Sequence, residues 1–75
     1  MQEYIKISHI DGVWQISNLS EFDLVISQIP IKPKRKNTEC FLISPGRFLL
    51  IDVKRNEVTL DITKLSFQFK PIEKS

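Results

Sequence analysis

The sequence predicts one mainly β domain of the α+β class, in which a short helix accompanies a small antiparallel sheet or a partly open barrel. Alanine is absent while isoleucine, leucine, valine and phenylalanine are abundant, and β-branched and aromatic side chains favour strands. Several segments alternate apolar and polar residues, the pattern of a half-buried strand. Turn signals at residues 11–12 and 45–46 separate such segments. The expected element order within residues 1–75 is ββαβββ or ββαββββ.

The first two strands are predicted from residues 3–17, EYIKISHIDGVWQIS. An Asp11-Gly12 pair between alternating residues is the strongest short-range signal for a β-hairpin. A two-residue loop at this pair places Ile10 opposite Val13. In that register one face of the hairpin is predicted to carry Ile5, Ile7, His9, Trp14 and Ile16.

A short helix is predicted over residues 20–29. Ser20 is a residue type that caps helices, and Pro30 would end the helix. The apolar residues in between recur at three- and four-residue spacing, as on one side of a helix: Phe22, Val25, Ile26 and Ile29. A strand is the alternative, because valine and isoleucine are poor helix formers.

The C-terminal half predicts a meander over about residues 39–63, then a last strand that ends near Lys70 and a frayed tail over 70–75. Pro45-Gly46 is expected to join the first two strands, and residues 55–56 the next two. The core side of the meander is then predicted to hold Cys40, Leu42, Leu49, Ile51, Val53, Val58, Leu60 and Ile62.

The opposite face of the same meander carries a second apolar cluster. In the predicted register Phe41 lies opposite Leu50 and Ile43 lies opposite Phe48. A 75-residue domain with large apolar side chains on both faces of its central strands either wraps tightly or leaves a patch exposed. Exposed apolar patches mark partner sites, so these four residues are predicted to form a protein-binding surface.

The net charge of +2 is concentrated in one segment. The predicted basic patch consists of Lys32, Lys34, Arg35 and Lys36, and Arg47 extends it. Such a patch neutralises phosphates in nucleic-acid binding, guides docking on an acidic protein surface, or is an ordinary solvated loop. No signature of a nucleic-acid-binding family accompanies it.

The polar residues do not predict a catalytic or metal site. His9 is expected to stack on Trp14, and Cys40 is expected to be a small buried hydrophobe. The carboxylates of Glu39, Asp52 and Asp61 are expected to be solvated positions on strands. The chain has only two glycines and no glycine-rich phosphate loop. We therefore expect no enzyme activity, cofactor, metal or small-molecule substrate.

The remaining features favour a soluble, cytoplasmic chain. A single cysteine excludes an internal disulfide, and no apolar run is long enough to span a bilayer. Together these observations predict a non-enzymatic regulator or inhibitor that docks on a protein partner or associates with itself. The alternative is a nucleic-acid-binding protein that uses the basic patch.

Overall fold

The computed structural model describes residues 3–30, 38–55 and 58–72, which form six strands and one 3-10 turn. Two separate antiparallel sheets result, sheet A in the order β1-β2-β5 and sheet B in the order β4-β3-β6. The mainly β prediction is confirmed, and the sheets do not close into a barrel. The elements are β1 (Ile5–Ile10), β2 (Val13–Asn18), β3 (Asp23–Pro30), β4 (Thr38–Ile43), β5 (Phe48–Asp52), the 3-10 turn Ile62–Lys64 and β6 (Ser66–Lys70).

The first hairpin has the predicted turn and register. Ile10 pairs with Val13, and the pairing continues to Ile5 opposite Asn18. Asp11 and Gly12 have φ values of 51° and 80°. These positive angles give the turn the twist that two-residue hairpins require, and Asp and Gly tolerate them.

The helix predicted over residues 20–29 is wrong, because the alternative holds and residues 23–30 form strand β3. A β-bulge explains the misleading spacing. Ile26 pairs with Phe41 but Ile29 pairs with Glu39, so that Ser27 and Gln28 together lie opposite Cys40. The extra residue returns Ile29 to the buried face three positions after Ile26. A spacing of three on one face therefore comes from a bulged strand.

The meander predicted over residues 39–63 is also wrong. Pro45-Gly46 does form a turn, in which the Arg47 N–H donates to the Ser44 carbonyl at 3.0 Å. The strands on its two sides separate, however, since β4 pairs with β3 and β5 pairs with β2. The faces of β4 and β5 are then independent, and Cys40 and Leu42 are exposed instead of facing the core.

No strand forms over the described part of the third meander segment, residues 58–63. The Val58 N–H donates to the Val53 carbonyl at 3.2 Å. The Asp61 side chain then accepts from the N–H of Thr63 at 3.0 Å and starts the 3-10 turn. The Asp61 side chain thus binds the Thr63 N–H, a backbone donor that would pair with a neighbouring strand if this segment were a strand. Leu60 and Ile62 still pack against the core as predicted.

One apolar core joins the two sheets. β2 and β5 of sheet A contribute one buried apolar side chain each, and β3 and β4 of sheet B contribute the larger share. The segment between the 3-10 turn and β6 adds one more. Among the described residues the buried apolar side chains are Ile16, Leu24, Ile26, Ile29, Ile43, Ile51 and Leu65. No helix in the described part of the chain has the length and apolarity that a membrane span needs.

Asn18 forms hydrogen bonds with both segments of the chain that cross between the two sheets. The chain leaves sheet A after β2 and returns to it after β4, and Asn18 contacts both passages. Its amide Nδ2 donates to the carbonyls of Phe22 at 2.7 Å and Ile43 at 2.8 Å. Its backbone N–H donates to the Arg47 carbonyl, and its carbonyl accepts from the Gly46 N–H, both at 2.9 Å.

The acceptor side of the Asn18 amide is also fully used. Its Oδ1 accepts from the backbone N–H of Ser20 at 3.0 Å and from the Ser20 hydroxyl at 2.6 Å. The Ser20 Oγ in turn accepts from the Phe22 N–H at 3.1 Å. Ser20 therefore binds the N–H two residues ahead, as a helix cap would, but in a bend that leads into a strand. Asn18 is 0% exposed and every hydrogen-bonding position of its amide is occupied.

We expect Asn18→Asp to destabilise the fold by about 3 kcal/mol. The substitution removes both amide donors of residue 18. The buried Ile43 carbonyl then loses its donor, which costs about 1–3 kcal/mol, whereas the Phe22 carbonyl still has the Ser20 hydroxyl within reach at 3.1 Å. Urea unfolding followed by circular dichroism measures the change in the free energy of unfolding.

The matched control for Asn18→Asp is Gln68→Glu. It makes the same amide-to-carboxyl change at an exposed position of β6, where we expect a change of less than about 0.5 kcal/mol. Equal effects of the two substitutions would show that Asn18 does not hold the sheets together.

We expect Gln28→Gly to stabilise the fold by about 0.5–1 kcal/mol, because Gln28 has a φ of 68° at the bulge and non-glycine residues are strained there. Gln28→Val should destabilise it, since a branched Cβ tolerates a positive φ least well. Thermal unfolding measures both. Gln68→Gly, in a strand position without positive φ, should destabilise the fold by about 0.5–1 kcal/mol. A destabilising Gln28→Gly would contradict the assignment of strain to the bulge.

Candidate protein-binding site at the edge of strand β5

The four residues predicted to form one binding surface lie on two different sheets. Phe41 and Ile43 belong to β4 in sheet B, while Phe48 and Leu50 belong to β5 in sheet A. Ile43 is only 6% exposed and belongs to the core, and Phe41 is half-buried against that core. The expected four-residue surface therefore does not exist, because the turn at Pro45-Gly46 separates β4 from β5.

The β5 half of the predicted cluster is exposed. Phe48 and Leu50 are each 55% exposed. They lie two residues apart on the face of sheet A that points away from the core, because Ile51 on the same strand is buried. Their neighbours across β2 are the small or polar residues Ser17 and Gln15, which leave both large side chains accessible.

The backbone of Phe48 and Leu50 points away from β2. Two hydrogen bonds fix this direction: Asn18 N–H to the Arg47 carbonyl and Val53 N–H to the Gly12 carbonyl, both 2.9 Å. In an antiparallel ladder alternate residues bond to the same neighbour, so the odd-numbered residues of β5 face β2. The N–H and C=O groups of Phe48 and Leu50 face the other side, where no described strand pairs with β5. We call this side of residues 48–51 the β5 edge.

An apolar cleft of about 150 Å³ runs beside the β5 edge, between the two sheets. It exists because β4 and β5 diverge after the turn at Pro45-Gly46, so that their inner side chains do not meet in a shared ladder. The cleft offers apolar contact on the inner side of the same edge that carries Phe48 and Leu50 on its outer side. Its lining residues are Ile29, Pro30, Phe41, Leu49, Leu50, Ile51 and Val58.

The β5 edge differs from the other outer strands in lacking charge. Natural sheet edges are blunted by charged residues, prolines or bulges that discourage pairing with another chain. Strand β1 carries Lys6, β4 carries Glu39 and β6 carries Lys70, whereas residues 48–51 read FLLI. The one charged residue of strand β5 is Asp52, which directly follows the β5 edge. Its sequence therefore favours pairing with another strand.

The predicted basic patch is mostly outside the described residues. Lys32, Lys34, Arg35 and Lys36 lie in the segment that connects β3 to β4, beyond the described ranges, and their prediction stays untested. Arg47 is described, and it is an exposed residue immediately before β5. A cation therefore stands at one end of the β5 edge.

His9 and Cys40 lie on different sheets, in β1 and β4. His9 stacks on Trp14 as predicted, with ring centroids 4.3 Å apart and planes 9° from parallel. Cys40 is exposed, contrary to the prediction, and its thiol donates to the Ser27 hydroxyl at 3.4 Å. Residue Cys40 is outward because β4 turns Phe41 and Ile43 towards the core.

The three carboxylates expected as solvated strand positions are also apart, with Glu39 in β4 and Asp52 in β5, whereas Asp61 precedes the 3-10 turn instead of lying on a strand. Asp52, the last residue of β5, accepts from the Arg55 N–H at 2.9 Å. Asp61 accepts from the Thr63 hydroxyl at 2.6 Å and from its N–H at 3.0 Å, and these two bonds lower the pKa of the Asp61 carboxyl. In residues 3–30, 38–55 and 58–72, no three His, Cys, Asp or Glu side chains form a group that could hold a metal ion.

Sequence reasoning missed Asn18 and the β5 edge. Asn18 lies between two predicted elements, and nothing in the local pattern distinguishes a buried structural asparagine from a turn residue. The β5 edge was missed because the predicted meander pairs β4 with this side of β5. Comparisons with protein-family models, with curated proteins and with solved structures gave no match to this chain.

Proposed function

We propose that this chain is a small non-enzymatic binding module that acts as a regulator or inhibitor by docking on a protein through the β5 edge. The observation that supports the proposal best is the coincidence of two features on one strand. Phe48 and Leu50 are 55% exposed, and their backbone groups point to a side of sheet A without a described partner strand.

The mode of docking that fits this edge is strand addition. An extended segment lies beside β5 and forms main-chain hydrogen bonds with Phe48 and Leu50, which supply affinity. Alternate side chains of that segment contact the outer face at Phe48 and the inner cleft near Phe41, which supplies specificity. The basic residues at 32–36, together with Arg47, increase the association rate for an acidic partner.

We expect peptides selected from a random phage-displayed library against the immobilised chain to bind Leu50→Lys at least about tenfold more weakly than wild type. A lysine on an edge strand opposes pairing with an apolar strand, and tenfold corresponds to about 1.4 kcal/mol. Fluorescence anisotropy of the labelled synthetic peptide measures the dissociation constant.

The control variant for peptide binding is Ile10→Lys. Ile10 is 71% exposed on β1, the other outer strand of sheet A, so this variant adds the same charge away from the β5 edge. It should bind like wild type. The proposal fails if no peptide is selected, or if both lysine variants weaken binding equally.

Nucleic-acid binding through the basic patch is the second candidate function, and Arg47, the described member of that patch, is exposed. In a gel-shift titration at low and moderate salt, we expect binding that weakens steeply as salt rises, because phosphate contacts release counterions. Replacing Lys34, Arg35 and Lys36 together by alanine should abolish that binding. Absence of any shift at low salt would remove this candidate.

A further inference from the structure

We infer that the segment which pairs with the β5 edge carries one large apolar side chain, the anchor, in the cleft between the sheets and a carboxylate beside Arg47. The segment belongs to another protein. This inference rests on the proposed function, because it specifies the partner of the same edge. It adds two features of the partner's sequence that strand addition alone does not require.

The cleft opens onto the β5 edge. Leu50 is among its lining residues, although the side chain of Leu50 lies on the outer face of sheet A. The cleft therefore reaches the backbone beside which an added strand lies. Leu49 and Ile51 line the cleft from the inner face. Residues of the added strand opposite Leu49 and Ile51 direct their side chains to that same face, as cross-strand neighbours do.

The cleft has room for one large apolar side chain. Its volume is about 150 Å³, and a protein cavity of roughly that size takes up a benzene molecule. A leucine, isoleucine or phenylalanine side chain therefore fits, whereas two such side chains do not. A side chain that is desolvated in a pocket of this kind carries a large share of a binding free energy. One position of the segment should therefore dominate its affinity.

The lining of the cleft selects an uncharged anchor. All of its lining residues are apolar, and two of them, Ile29 and Ile51, belong to the buried core. An ionised side chain in this cleft would lose its hydration without gaining a polar side chain as partner. The charges of the segment therefore lie outside the cleft.

Arg47 provides the complementary charge at the start of the β5 edge. It is exposed, and its carbonyl still bonds to β2 through the Asn18 N–H. Because Arg47 precedes Leu49 by two positions, the alternation along the strand places both side chains on the inner side. A carboxylate that lies an even number of positions from the anchor is on this side too. Opposite Arg47, it forms a charge-assisted hydrogen bond with the guanidinium.

An alanine scan of a selected peptide tests the anchor. The probe is the most tightly bound peptide from the phage-displayed library, and fluorescence anisotropy measures its dissociation constant for the wild-type chain. We expect one apolar position whose replacement by alanine weakens binding at least about tenfold. Replacing the acidic residue should weaken binding about threefold, and less at high salt. The inference is overturned if no single apolar position has this effect, or if the peptide has no acidic residue an even number of positions from it.

Val58→Phe fills the cleft from its wall, since Val58 is a half-buried lining residue. We expect the selected peptide to bind this variant at least about tenfold more weakly, and the peptide with an alanine anchor to bind it and wild type equally. Val25→Phe is the matched control and should bind like wild type, because Val25 lies on the outer face of sheet B between the buried Leu24 and Ile26. A Val58→Phe variant that keeps full affinity would overturn the inference. If circular dichroism shows that this variant does not fold, the alanine scan on the wild-type chain decides.

Arg47→Glu tests the carboxylate. This variant should bind the selected peptide at least about threefold more weakly. A peptide with lysine in place of its acidic residue should recover the lost affinity for Arg47→Glu, because the two charges are exchanged. Absence of recovery would overturn the contact with Arg47.

The outcomes also separate the two proposals. If Leu50→Lys weakens peptide binding while no apolar position dominates, the anchor is excluded and the proposed function stands. If no peptide is selected, or if Leu50→Lys leaves binding unchanged, both proposals fail. With isotope-labelled chain and unlabelled peptide, filtered nuclear Overhauser spectra should show contact between the anchor and the ring of Phe41, a lining residue of the cleft. An anchor that contacts only residues outside the cleft would overturn the inference.

Discussion

The fold depends on one buried amide. Asn18 has no exposed surface, and its side chain and backbone bind both segments that cross between the sheets. A buried amide is tolerated only when its donors and acceptors are satisfied. Because its partners are all backbone groups or Ser20, the amide determines where the backbone must pass. The two crossings are therefore held at one point.

The position of Asn18 explains why no described strand pairs with the outer side of β5. The Gly46 N–H donates to the Asn18 carbonyl and the Arg47 carbonyl accepts from the Asn18 N–H, which aligns the chain with β2 before β5 begins. β4 is already paired with β3, and its last carbonyl, that of Ile43, accepts from the Asn18 amide. A hairpin between β4 and β5 would have covered the side of β5 that faces away from β2. The hydrogen bonds of Asn18 thus fix both crossings between the sheets and direct β4 and β5 to different partners. The β5 edge, on which the proposed function depends, results from this separation.

Local turn chemistry was predictable from the sequence, whereas the choice of partner strand was not. Asp11-Gly12 specifies both the turn and the register of its hairpin, since φ angles of that kind admit few residue pairs. Pro45-Gly46 specifies a turn only. The pairing of the strand that follows depends on Asn18, which lies 27 positions before Pro45. The bulge at Gln28 similarly gave a strand the spacing of a helix. Phe48 and Leu50 were identified correctly as large side chains on the face opposite Ile51, because the alternation within one strand survives a change of neighbour.

The inner and outer faces of β5 differ in the residues that the fold requires. Its inner residues must be apolar because Leu49 packs on the core and Ile51 is part of it. That requirement does not extend to Phe48 and Leu50, for which a soluble edge strand would ordinarily use a lysine or a glutamate. In a chain of 75 residues, which buries only about 60–65% of its unfolded surface, two large apolar side chains left outside the core forgo stabilisation that the fold would gain by covering them. Stability of the monomer therefore gives no reason for these residues. Under the proposed function, an added strand would lie beside both side chains and would bond the outward backbone groups of Phe48 and Leu50.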